Sequence, residues 1–328
     1  MFDLRRREFI TLLGGAAAAW PLAARAQQAA PIVGVVVIRS PEDSVGRADA
    51  FRKGLSEAGY VEGQIVEYHW LDGRYDRLPS LMADLVLRRV AVIATPGQTA
   101  TAQAAKAATT TIPIVFGVGD DPVKLGLVAS LARPGGNATG INFFTREVAA
   151  KRLGLFPDLV PKAARIAMLV NPANHPIAEL MLRDIPEAAR ALGLQIQVFN
   201  ASTTREIEAA FAAIVRDRAD ALFIAPDAFF SSRRSQFVTL ASRDRIPTSS
   251  SGREMVEAGL LMSYGTVNLD MWHQVGVYTG QILKGANPAD LPVVQSTKFE
   301  FVINLQTARA LGVEVPNSIR LLADEVIE

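Results

Sequence analysis

The chain has 328 residues, of which 49% are hydrophobic and 20% charged, enough for two domains that each bury a core. It has no cysteine, which excludes a disulfide framework and any thiolate metal site. Its 34 basic and 33 acidic residues nearly cancel, so net charge implies no polyanion-binding surface.

The N-terminus reads as an address. Arg5-Arg6-Arg7 precedes an apolar run from Phe9 to Trp20, and Ala24-Arg25-Ala26 has the small-x-small pattern of a signal-peptidase site. Residues 1–26 are therefore expected to be an export signal, with the mature chain beginning near Gln27. That segment carries Arg5, Arg6, Arg7 and Arg25 against Asp3 and Glu8, so its removal takes the formal charge from +1 to −1. Arg6-Arg7-Glu8-Phe9-Ile10 is similar to a twin-arginine signal, although Arg5 stands where Ser or Thr is usual; Sec export is the alternative. The run is short of the ~20 residues needed to span a bilayer and contains Gly14 and Gly15. Without a cysteine no lipid anchor is expected.

From Pro31 onward, short apolar runs alternate with amphipathic stretches. Ile32 to Ile38 predicts a strand, and Val45, Ala48, Phe51 and Leu55 mark a helix ending at Gly59. Strands follow at 65–70 and 90–94, with helices at 78–87 and 97–108. Ile114 to Val118 is a strand buried on both faces. After it Asp121 is expected to cap a helix with Pro122 at its first position and Val123, Leu127, Val128 and Leu131 on one face, stopped by Arg133-Pro134-Gly135-Gly136-Asn137. A strand at 139–143 leaves this segment.

A second series begins there. Helices are expected at 151–159, around Ile177 to Ala188 with a kink or break at Pro186, after the capping box Thr203/Glu206, at 233–241 and from Trp272 to Leu283. Strands are expected at 166–170, 195–199, 221–225, 246–249, 260–263 and 299–303, with a last helix at 305–311. The fold class is α/β: two Rossmann-like lobes with parallel sheets and a cleft between them.

Enzyme chemistry finds no support. Gly117-Val118-Gly119-Asp120-Asp121-Pro122 begins like a dinucleotide fingerprint, but Pro122 replaces the third glycine and two carboxylates would repel a pyrophosphate. His69, His175 and His273 lie far apart, with no H-E-x-x-H pattern, and no G-x-S-x-G elbow occurs. No cofactor, metal or nucleic-acid partner is expected.

Three stretches carry a family likeness: Leu125 to Asn137 (LGLVASLARPGGN), Gly259 to Gly265 (GLLMSYG), and the ending from Lys298-Phe299-Glu300 to Leu311 with Ala323-Asp324-Glu325. With the signal they resemble the ABC-transporter substrate-binding proteins that include tryptophan- and tyrosine-type members, across nearly all of the mature chain. The resemblance implies a type I periplasmic binding protein: lobes joined by a three-strand hinge near Gly140–Phe143, Met262–Gly265 and Leu291–Thr297. It places 27–140 plus 265–290 in the first lobe and 141–264 plus 291–328 in the second. It implies a periplasmic monomer that closes on an amino acid or related aromatic acid and delivers it to an ABC permease. The alternative is a periplasmic sensor that presents its solute to a membrane receptor. Ser249-Ser250-Ser251-Gly252 stands where relatives often have a Tyr, which leaves the ligand open.

The candidate contacts sit at strand ends. In the first lobe they are Ser40, Thr95, Gly97, Gln98, Thr99 and Asp120; in the second, Asn142, Asn171, Asp227, Phe229, Arg253 and Tyr264. The helix start at Gly97 to Thr99 is suited to a ligand carboxylate, and Asp227 to an ammonium. Each has a structural alternative: Thr95, Thr99 and Asp227 as caps, Phe229 as core.

Overall fold

The computed structural model describes residues 31–60 and 65–328; the expected signal at 1–26 lies outside them. In chain order the strands are β1 (Val33–Val37), β2 (Val66–Trp70), β3 (Val92–Thr95), β4 (Ile114–Val118), β5 (Ala138–Asn142), β6 (Arg165–Val170), β7 (Gln195–Asn200), β8 (Ala221–Ile224), β9 (Thr248–Ser250), β10 (Met262–Thr266), β11 (Val294–Gln295), β12 (Phe299–Asn304) and β13 (Glu325–Ile327). They form two sheets, ordered β11-β5-β4-β3-β1-β2 and β13-β12-β10-β9-β8-β6-β7. All pairings are parallel except β10 with β12.

Alternation within the strands gives each sheet two cores. Val33, Val35 and Val37 face one side of the first sheet while Val36 and Ile38 face the other. Ile166, Met168 and Val170 oppose Ala167 and Leu169 in the second. A strand covered on both faces has no polar positions, so these read as unbroken apolar runs.

The helix Asn268–Leu283 follows β10 of the second sheet but packs on the first lobe, against the helix Val45–Glu57. Glycines set that approach. A Cβ on Gly54 would stand 2.1 Å from the His273 carbonyl oxygen, and one on Gly276 2.1 Å from that of Phe51. Backbone can come so near only where no side chain intervenes.

Three connections join the lobes: after β5, after β10, and between β11 and β12. They are tied to one another. The Thr266 hydroxyl donates to the Phe143 carbonyl (2.9 Å), Val267 N–H to Lys298 O (3.1 Å) and Ser296 N–H to Asn142 O (2.8 Å). β5 as far as Asn142, and β11, belong to the first sheet.

Some local expectations need correction. No helix forms at 122–132. Asp121 Oδ1 does accept from the N–H groups of Val123 and Lys124 (2.9 and 3.4 Å), and one turn forms, but Gly126 at φ +69° diverts the chain. Leu127 and Val128 are buried all the same, which accounts for their helix-like spacing. Pro186 does not split its helix, which runs from His175 to Ala191; the residue whose carbonyl it releases, Leu182, is exposed and open to water. At Thr203 the capping box is shifted: Thr203 Oγ1 accepts from Glu206 N–H (3.2 Å), while the Glu206 carboxylate takes Ser202 N–H (2.6 Å).

Candidate functional site

In both sheets the strand order reverses between the first strand and the third, β1/β3 and β6/β8. The crevice at the carboxyl ends of such strands is where open α/β sheets bind ligands. Here the two crevices face each other. Ile38 and Arg39 after β1 and Pro96 to Thr99 after β3 meet Pro226 and Asp227 after β8 across a cavity of ≈ 90 Å³. Its apolar wall includes Phe143, Val148, Ile177 and Trp272, and polar groups from both lobes converge on it.

Ion pairs span the cleft. Arg39 Nη2 and Arg47 Nη2, from the first lobe, donate to one oxygen of Glu254 in the second (3.2 and 2.9 Å). Arg234 of the second lobe pairs with Asp43 of the first. Burial alone would push the Glu254 carboxyl up, but Arg47 and Arg39 outweigh it and hold it at about 2. Arg39 is lowered to about 10 by burial, with Arg47 adding and Glu254 opposing.

Asp227 is the hub on the second lobe. Oδ1 accepts from Asn171 Nδ2 (3.0 Å) and from Phe230 N–H (3.2 Å), and Oδ2 from Asn174 Nδ2 and the Tyr75 hydroxyl (3.0 Å each). Asp227 is thus a helix cap, and through Tyr75 it is also a bridge between lobes. Burial raises its carboxyl above the usual range while the four donors oppose the rise. Four donors fill a carboxylate's acceptor sites, and one of them, Tyr75, comes from the opposite lobe.

Four of the twelve sequence candidates line this cavity: Gly97, Gln98, Thr99 and Asp227. The groups named for a carboxylate are engaged internally, Gly97 N–H with Gly117 O (3.0 Å) and the Thr99 hydroxyl with Asp120 Oδ2 (2.9 Å). Asp120 and Asn142 line a separate groove between the lobes, where Asn142 Nδ2 donates to Asp120 O (2.6 Å). The remaining six are not among the lining residues. The Ser40 hydroxyl donates to Asp43 (3.1 Å), and Thr95 lies under the sheet end. Asn171 stands behind Asp227. Phe229 is in the core with Phe230, its ring beneath Arg233 and against Gly73. Tyr264 is in the other core of the second lobe under Lys151 (4.8 Å). Arg253 faces outward to Glu257, Glu300 and Glu325.

Sequence reasoning missed Arg39, Arg47, Tyr75, Arg152 and Glu254. Arg39 ends an apolar strand and had the same signal as Ser40. Arg152 shares the buried face of the helix Thr145–Leu153 with Val148 and Ala149, a charge on an apolar face that was there to be seen. Among the described residues no group of three or more His, Asp or Glu side chains is placed to hold a metal, and no helix is long and apolar enough to cross a membrane.

Comparison with known proteins agrees with this fold. A tyrosine-binding protein of Clostridioides difficile is 27% identical over 281 residues, which is 84% of this chain and 78% of that one. A domain from Streptococcus pneumonia solved in complex with L-Trp superposes with a TM-score of 0.80 at 26% identity, covering 91% of this chain and all of that one. A conserved domain protein from Vibrio cholerae gives 0.81 at 26% identity with the same coverage. The family model for ABC transporter substrate-binding proteins matches residues 32–327, and the chain belongs to that family.

Proposed function

We propose that this substrate-binding protein works outside the cytoplasmic membrane, closing its lobes on an amino acid or a related aromatic acid and presenting it to an ABC permease for import. The observation that carries the reading is the cavity at the facing switch points, walled by apolar side chains and lined by buried polar groups from both lobes. The L-Trp complex and the tyrosine-binding relative support the ligand class. Gly97, Gln98, Thr99 and Asp227 are the proposed contacts among the sequence candidates. An ammonium takes the place of the Tyr75 hydroxyl on Asp227.

The test is a thermal-shift screen of the mature protein against amino acids and aromatic acids. A ligand bound only by the folded state stabilises by RT ln(1 + [L]/Kd), about 2.7 kcal/mol at a hundredfold excess over Kd. A panel that raises the melting temperature with sugars and not with amino or aromatic acids overturns the ligand class.

A further inference from the structure

The charges that span the cleft balance. Arg39, Arg47 and Arg234 stand against Glu254, Asp43 and Asp227, three cations to three carboxylates. Arg152 stands outside that balance. It is 1% exposed and lies in the wall of the same cavity. Its Nη2 donates to Ile224 O (2.8 Å) and its guanidinium lies 4.0 Å over the Phe223 ring, but Nε has no partner. No ion pair among the described residues includes it. Burial lowers it only to about 9, so it stays charged at neutral pH.

A lone cation taken out of water is costly, and a guanidinium offers five donors where one carbonyl and one ring use few of them. Its planar fork matches a carboxylate. We propose that Arg152 is the anion anchor of the cavity, receiving the carboxylate of the bound solute while the solute's apolar body lies against Phe143, Ile177 and Trp272. This rests on the cavity being the ligand site, and it narrows the cargo to organic monocarboxylates, in which the carboxylate is the required group and an ammonium is optional.

The experiment is calorimetry and thermal melting of the mature protein with L-tryptophan, 3-indolepropionate and tryptamine, using the wild type, Arg152→Met and Arg152→Lys. Both carboxylates should bind the wild type, and tryptamine should not. Arg152→Met should weaken both carboxylates at least tenfold, and Arg152→Lys should restore part of the loss. Without ligand, Arg152→Met should melt no lower than the wild type, because it removes an uncompensated charge. Tryptamine binding as well as tryptophan, or Arg152→Met keeping its carboxylate affinity, overturns the anchor and leaves the proposed function standing. If none of the three probes binds the wild type, an indole cargo is ruled out, and the ligand-free melts decide on Arg152: a fall of several degrees makes it a structural strut, and an equal or higher value supports the anchor.

Discussion

Replacing Glu254 by Gln removes the charge that two arginines of the opposite lobe share, while keeping an oxygen that accepts their hydrogen bonds. Gln is therefore a stand-in for the protonated acid, and the displacement of the Glu254 carboxyl from 4.5 to about 2 sets the scale of what is lost. At 1.36 kcal/mol per pKa unit that is about 3 kcal/mol. The loss falls on closure alone, because Arg39 and Arg47 regain water when the lobes part. Ligand affinity includes the free energy of closing, so about 3 kcal/mol becomes roughly a hundredfold rise in Kd. Calorimetry at pH 7 with the tightest ligand from the screen reads it, and small-angle scattering of the ligand-free protein should show a larger radius of gyration for the variant. The carboxyl is depressed in the closed form, so its contribution is complete above about pH 4.5 and fades as pH falls toward 2. Wild-type affinity should decline over that window, and Glu254→Gln should lack that component of the decline. An affinity within threefold of wild type with an unchanged radius would refute the charge clamp.

Three further outcomes are expected. Asp227→Asn should weaken L-tryptophan at least tenfold and 3-indolepropionate far less, since only the former brings an ammonium; equal losses in this cycle would confine Asp227 to capping and bridging. Gly54→Ala sets a methyl group against the backbone of the helix Asn268–Leu283 and should destabilise by about 3 kcal/mol in denaturant unfolding, and a loss below about 0.5 kcal/mol would mean the two helices part easily. Converting Arg6 and Arg7 to Lys should abolish export if the signal is of the twin-arginine kind, while undiminished export assigns it to Sec.

The architecture was legible because a strand buried on both faces leaves an uninterrupted apolar run, and β1, β4 and β6 carry such runs. Where spacing misled, at 122–132, the same burial of Leu127 and Val128 was achieved by turns, since one left-handed glycine ends a helix that apolar spacing alone permits. Asp227 was found because it ends a strand at the switch point. Glu254 was not, because what distinguishes it from a surface charge is an opposite lobe, which is not written in local sequence; Arg152 showed as a charge on an apolar helix face, but the cavity it meets did not. Arg253 shows the converse: a strand-end cation one residue from Glu254 that turns to the outer surface.

The helix Asn268–Leu283 has a consequence for how the chain is made. It covers Val33, Val35, Phe51 and Leu55, yet it follows β5 by roughly 125 residues, about 6–25 s of synthesis at ordinary rates. Until it arrives, one face of the first sheet is covered only in part, by the helix Val45–Glu57. A chain stopped at Asn142 would thus be an aggregation-prone fragment rather than half of a binding protein, and the first lobe cannot be finished before β6 to β10 of the second have been made.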